Sequence, residues 1–170
     1  MTPKEVAHLL ELALEEAYPS LQAMSPETRT TPLAPGKWSP QQVMGHLIDS
    51  AANNHQRFVR VQQQENFIFK GYQQDQWVIQ QAYEEASWET ILNLWTAYNR
   101  HLAHVIRHLP QQLWAQSRHP HNLHQIAFKT VPEDQPTSLA YFVADYIAHL
   151  EHHLKGLIPG FSTRLLGTSY

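Results

Sequence analysis

Apolar residues recur at intervals of three and four along most of this chain, and the pattern predicts four long helices with no strand-like alternation between them. The first covers residues 3–24, with Val6, Leu9, Leu10, Ala13, Leu14 and Ala17 on one side and Pro19 as the place where it can bend. Ser39-Pro40, an N-cap followed by proline at the first helical position, starts the second, which extends to about Asn66. Ser87 caps the third, which ends before Pro110. Thr137 can cap the fourth, TSLAYFVADYIAHLEHHLKGLI, which stops at Pro159-Gly160.

The connections carry less pattern. TRTTPLAPGKW, residues 28–38, is rich in Thr and Pro and reads as non-helical linker. NFIFKGYQQDQW reads as a loop around Gly71 leading into a short helix near residues 75–82. Residues 111–136 hold three prolines and no clear periodicity, a longer connection than structureless loops usually make, and loops of that length often cover a site.

Composition narrows the functional classes. A chain of 170 residues with 42% hydrophobic content fits one domain, 1–170, with a real core. The formal charge of −3 and the scattered basic residues lack the footprint of a nucleic-acid-binding protein. The absence of cysteine removes disulfides, thiolate metal sites and a Cys nucleophile together. The acidic, interrupted start reads as a helix rather than a signal peptide, and no run approaches the roughly 20 apolar residues of a membrane span, so no membrane partner and a cytoplasmic location are expected.

The 12 histidines are where chemistry enters. On the third helix the apolar face is Trp88, Ile91, Trp95, Tyr98, Leu102 and Leu109; His104 lies nearly opposite it, and His101 and His108 at its edges, so these three read as solvent-facing. His119, His121 and His124 fall in the patternless loop, where a chelating trio lacks preorganisation. On the fourth helix Phe142, Tyr146, His149 and His153 run down one face beside Val143, Leu150 and Leu154, while His152 points the other way. Buried imidazoles one turn apart need partners for both ring nitrogens, and a shared metal supplies one; two ordinary boundary histidines are the plainer alternative. A third ligand from the second helix is either His46 or His55. His55 belongs to the apolar stripe of Val43, Leu47, Ala51 and Phe58, whereas His46 shares a polar stripe with Asp49, Ser50, Asn53 and Arg57 that either faces water or lines an enclosed site. Periodicity alone slightly favours His55 as the interior residue.

Trp38-Ser39, Gly45-His46-Leu47-Ile48-Asp49-Ser50, Asn53, Arg57-Phe58 and the late His149 and His153 resemble, in this order, the DinB/YfiT-like family, with Gly71-Tyr72 and Trp77 adding to the match. The resemblance spans most of the chain. It implies an all-α, up-and-down-type four-helix bundle with an extra short helix and a long loop before the last helix, a homodimer, and a divalent metal, nickel or zinc, on His46, His149 and His153. It makes His55 a packing or boundary residue. Asp49, Asn53 and Arg57, on the face of His46, become candidates to support the ligands or touch a substrate.

Three neutral imidazoles leave open positions on the metal, where water is activated near neutral pH or a thiolate is held for attack. The reading is therefore a metal-dependent hydrolase or a thiol-dependent S-transferase acting on a small molecule, with a low-molecular-weight thiol as co-substrate in the second case. A noncatalytic metal- or ligand-binding stress-response protein, or a plain helical dimerisation module, is the alternative. A zincin mechanism lacks its glutamate, since Leu150 follows His149 and Glu151 projects away from the pair. No G-x-S-x-G elbow, phosphate-cradling glycine loop or dinucleotide fingerprint is present. A base, where one is needed, falls to metal-activated water or Asp49.

Overall fold

A computed structural model describes residues 1–170. Helix α1 (Pro3–Gln22) opens on a capping box, in which Thr2 accepts from the Glu5 backbone and Glu5 reaches back to Thr2, and it continues through Pro19. A short α2 (Pro26–Thr30) follows, capped by the Ser25 hydroxyl. Residues 28–30, read from their composition as linker, are thus its last turn.

Helix α3 (Pro40–Arg60) starts at the expected Ser39 cap and closes with a 3-10 turn over Val61–Gln63, earlier than the expected Asn66. The chain leaves the helix there because Phe67 pairs with the backbone of Pro120 and Asn122 at 3.1 and 3.3 Å. Helix α4 (Gln74–Gln80) stops short of residue 82 because Ala82 takes a left-handed conformation, φ 48°, that no right-handed helix contains. A 3-10 turn, Tyr83–Glu85, leads into α5 (Trp88–Arg107), capped by Ser87 as predicted.

The segment 111–136 contains two single-turn helices, α6 (Gln111–Trp114) and α7 (Leu123–Ile126), which are too short to show a period in sequence. Helix α8 (Leu139–Leu157) is capped by Ser138 rather than Thr137. The backbone of Thr137 is committed elsewhere, exchanging hydrogen bonds of 2.7 and 3.1 Å with Arg118.

The chain is therefore an all-α four-helix bundle, built from α1, α3, α5 and α8. Around the bundle α1 packs on α5, α5 on α3, and α8 closes the ring against α3 and α1. Side-chain pairs give the directions. Trp88 at the start of α5 donates to Leu21 at the end of α1, so these two are antiparallel. Gln41 reaches the backbone of Tyr83 and Ala86 while His55 meets Tyr98, so α3 and α5 run the same way. Ser50 faces His149 and Phe58 faces Phe142, so α3 and α8 are antiparallel. The four-helix bundle is as expected, but this parallel pair departs from a strict up-and-down order; it is permitted by the long crossover through α4, which returns the chain to the end where α3 began.

One contiguous core fills the bundle, with Leu10, Met44, Trp95, Leu102, Ile106 and Leu150 fully buried. Each such aliphatic side chain stabilises the fold by about 1.5–3 kcal/mol relative to exposure. No helix is long and apolar enough to cross a membrane.

Candidate metal centre

Both helices that carry the candidate ligands are pinned at their first turns. On α3, Ser39 Oγ accepts from Gln42 N at 3.3 Å and the Gln42 side chain accepts from Ser39 N at 2.9 Å. One turn later Gly45 lies against the Tyr83 ring so closely that a Cβ would fall 2.2 Å from Tyr83 Cδ2; only glycine permits that approach. This fixes α3 where His46 points inward, 1% exposed, beside the Trp38 ring at 5.0 Å. On α8, His149 and His153 stand one turn apart on the face turned to α3.

The three imidazoles meet through their Nε2 atoms. His149 Nε2 lies 3.1 Å from His46 Nε2 and 3.1 Å from His153 Nε2, and one nitrogen from each ring falls within 4.8 Å of the others. Metal–nitrogen bonds of about 2.0–2.1 Å separate neighbouring donors by about 2.9 Å at a right angle and about 3.4 Å at the tetrahedral angle. The two spacings to His149 fall between these values, and the third pair lies within 4.8 Å. Ser50 Oγ sits 3.5 Å from His149 Nδ1, a contact that a proton on Nδ1 satisfies and that leaves Nε2 with its lone pair.

Electrostatics favours the ligating form. Burial pushes His46 down from 6.5 to about 4, with Asp75 opposing weakly. Burial, then the neighbouring His46 and His152, takes His153 down to about 3. His149 is held well below its ordinary value by burial and by the other imidazoles around it. All three are neutral at pH 7, as metal ligands must be. Three lone-pair nitrogens facing one another have no protein donor to share, and His46 Nδ1 is itself buried without a hydrogen-bond partner. A divalent cation fits this donor set.

The triad borders a cavity of about 530 Å³. Ser50, Asn54, Arg57 and Tyr72 line it from the α3 side, Phe142 and Tyr146 from α8. The polar stripe of α3 is thus enclosed rather than solvated: His46, Asp49, Ser50 and Arg57 are all buried. Residues 125–128 form a further wall, with the Phe128 ring 5.5 Å from that of His149, so the segment 111–136 does cover the site. Asp145 holds this wall in place, its carboxylate accepting from Phe128 N at 2.8 Å and Lys129 N at 2.7 Å.

The polar candidates separate by location. Arg57 lines the cavity, its Nη2 donating to Lys70 O at 2.9 Å and its Nη1 to Asn54 Oδ1 at 3.4 Å. Asp49 does not line it; its Oδ1 accepts from Tyr83 Oη at 2.6 Å and Gln81 Nε2 at 2.7 Å, which ties α3 to the segment before α5. Asn53 turns its amide back to Asp49 O, and its neighbour Asn54 takes the cavity position. Sequence reasoning left out Asn54, Phe128 and Asp145 as site residues. Only Asp145, a carboxylate inside the apolar run YFVADYIAHL, carried a visible signal.

His152, expected from the helix pattern to point the other way, instead borders the cavity at its exposed rim, its ring 5.2 Å from that of His153 and 5.1 Å from that of Phe128. The remaining histidines lie elsewhere. His55 is half-buried against Tyr98 and His101 on the α3–α5 side. His101, His104 and His108 are exposed, as the α5 pattern predicts. His121 is buried with both nitrogens on backbone groups, Gln135 O and Leu123 N, and His119 Nε2 contacts Glu133 O. These two histidines tie the loop together.

The DinB superfamily matches the chain over residues 9–156. Among solved structures the chain is similar to YfiT from Bacillus subtilis, described as "a probable metal-dependent hydrolase with an unusual four-helix bundle topology". The TM-score is 0.74 at 20% identity, over 91% of this chain and 83% of that one, a likeness of fold. No curated protein matches the sequence.

Proposed function

This chain belongs to the DinB superfamily, and on that premise we propose that it is a divalent-metal-dependent enzyme for a small molecule, a hydrolase or thiol-dependent S-transferase, with His46, His149 and His153 as ligands. The observation that carries the reading is the convergence of three neutral imidazoles, one buried and two half-buried, on one point at the edge of a cavity. Structural metal sites are closed by four protein ligands, whereas three beside an open space leave positions for water and substrate. The all-imidazole donor set suits nickel and zinc alike. The metal-dependent hydrolase description of YfiT, a protein of the same fold, agrees with this reading.

When bound, a divalent ion supplies Lewis acidity and lowers the pKa of a water or thiol in its open positions. The chain's own residues do the rest. Ser50 orients His149 through Nδ1, and Trp38 packs against the His46 ring. Phe128 shields His149 from bulk water. Asp49, through Tyr83 and Gln81, and Asn53, through the α3 backbone, are positioning residues that hold His46 at its depth. Asp49 is assigned this positioning role rather than that of the base, because its Oδ1 is held by Tyr83 and Gln81 and its side chain does not border the cavity.

The test uses tag-free protein loaded with zinc or nickel and assayed against esters, amides and thiol-plus-electrophile pairs, with His153→Ala as control. Metal-dependent turnover that the variant lacks is the expected result. Silence with every substrate, while metal still binds, favours a noncatalytic metal-binding protein.

A further inference from the structure

The cavity beside the triad holds one cation without an acidic partner. Arg57 is 7% exposed, and its two acceptors, Lys70 O and Asn54 Oδ1, are both neutral. The ion pairs of the molecule are made by His8, Arg107, His124 and Arg164, and none involves Arg57. A guanidinium carries five N–H donors in a planar fork, so most of its hydrogen-bonding capacity is left over. Burying an ionised group without a counter-charge is costly, and a fold that does so on the wall of a cavity reserves the site for an anion.

The surrounding charges point the same way. Asp145 also borders the cavity, yet its oxygens already accept from Phe128 N, Lys129 N and Tyr170 Oη. The three histidines are neutral and bring no negative charge to the metal they would hold. Arg57 lies seven residues beyond Ser50 on α3, and its guanidinium sits 5.9 Å from the ring of Phe142, seven residues before His149 on α8. Seven residues of helix amount to about 10 Å, so the cavity runs from the triad to the guanidinium over roughly that length. Phe142 and Tyr146 floor the path between them.

We propose that Arg57 is the anion-recognition residue of this cavity, binding the carboxylate of a small molecule whose reacting end lies at the histidine triad. This rests on the triad being the reactive end, as proposed above. A carboxylate is favoured over a phosphate dianion because Arg57 is the sole lysine or arginine on the cavity wall, and one planar fork matches one carboxylate bidentately.

Calorimetric titration with 6-mercaptohexanoate and its neutral analogue 6-mercaptohexanamide tests the assignment, because the two probes differ only at the end meant for Arg57. Tag-free protein is used in zinc-loaded and chelator-stripped forms. The acid is expected to bind about tenfold or more tightly than the amide, the worth of one charge-assisted pair. Arg57→Gln abolishes the preference and Arg57→Lys keeps part of it, with circular dichroism and the thermal midpoint reporting the fold of both. Equal affinities in the wild type, a preference that survives Arg57→Gln in a folded variant, or no binding of either probe to either form overturns the proposal. Failure of the metal reading looks different: zinc then tightens neither probe, while the preference of acid over amide persists. Where the stripped form binds too weakly to measure, the ratio in the zinc-loaded form decides.

Discussion

His46 and His149, 103 residues apart in sequence, face each other Nε2 to Nε2 at 3.1 Å across the interface of two antiparallel helices. With His153 at the same distance from His149, one imidazole is shared between two neighbours. His149 Nε2 offers one in-plane lone pair or one proton, so it makes a good hydrogen bond to one neighbour and leaves the other contact unmade. A cation satisfies both contacts at once.

Metal content therefore depends on His149 above any other histidine. Tag-free protein is expected to carry close to one divalent ion per chain by mass spectrometry of the metals, and His149→Ala to lose it. His104→Ala, on the exposed face of α5, is expected to leave it unchanged. Full occupancy in the His149 variant would remove the triad from the metal site.

In the metal-free protein the same histidines set a pH dependence of stability. Their folded pKa values, about 4 for His46 and about 3 for His153, lie below the ordinary 6.5. The unfolded chain binds more protons in that window, so stability is fully present above pH 6.5 and falls as pH drops toward 4. Each such proton contributes a slope of roughly 1.4 kcal/mol per pH unit. Asp49 and Asp145, raised by burial, oppose this, so the informative quantity is a difference between proteins. Urea denaturation of His46→Gln between pH 4 and 6.5 is expected to show a slope shallower than wild type by about one proton. Identical slopes would mean that His46 is protonated in the fold.

The site was readable in parts, for physical reasons that differ by residue. His149 and His153 announce themselves, because a four-residue spacing on an apolar face puts two rings on one spot. His46 does not. Its stripe of Asp49, Ser50, Asn53 and Arg57 has the pattern of a solvated face, and hydrophobic periodicity cannot tell a polar stripe facing water from one enclosing a cavity. The apolar stripe that drew attention to His55 packs toward α5, where His55 meets Tyr98. The family motif around Gly45-His46 supplied what the period could not. Phe128 was invisible for another reason: it lies just after a one-turn helix, and the hydrogen bonds that place it come from Asp145, 17 residues away. The four long helices were legible because each buries a continuous stripe. Their directions were not, since the parallel run of α3 and α5 depends on where the long crossover ends.

Gly45 couples the bundle to the site. A methyl group there meets Tyr83 Cδ2 at 2.2 Å and Cγ at 2.3 Å, atoms too close to the backbone to swing aside. Gly45→Ala is expected to destabilise the fold by about 1–3 kcal/mol through overpacking. It is also expected to weaken metal affinity, because the ring it displaces bonds Asp49 one turn from His46. In a Tyr83→Ala background the added methyl has nothing to strike, so the cost of Gly45→Ala shrinks. A double-mutant cycle in urea measures this, and additive costs would show that the contact carries no strain.

Glu151 gives a contrasting case on the same helix, two residues from both His149 and His153 but on the opposite face. It is fully buried, and its carboxylate accepts from Arg164 N, Leu165 N and Leu166 N, each at 2.8 Å. These bonds fold the C-terminal segment back so that Phe161 and Leu165 join the core. Glu151→Ala strands three backbone donors and is expected to cost about 3–5 kcal/mol, as the loss of one partner from a buried charged network does. The released segment should become sensitive to carboxypeptidase. Because Glu151 has no contact with the triad, the folded fraction of the variant is expected to keep its metal. Loss of metal from protein whose urea midpoint is unchanged would instead place Glu151 in the support of the ligands, acting through the turn of α8 that it shares with them.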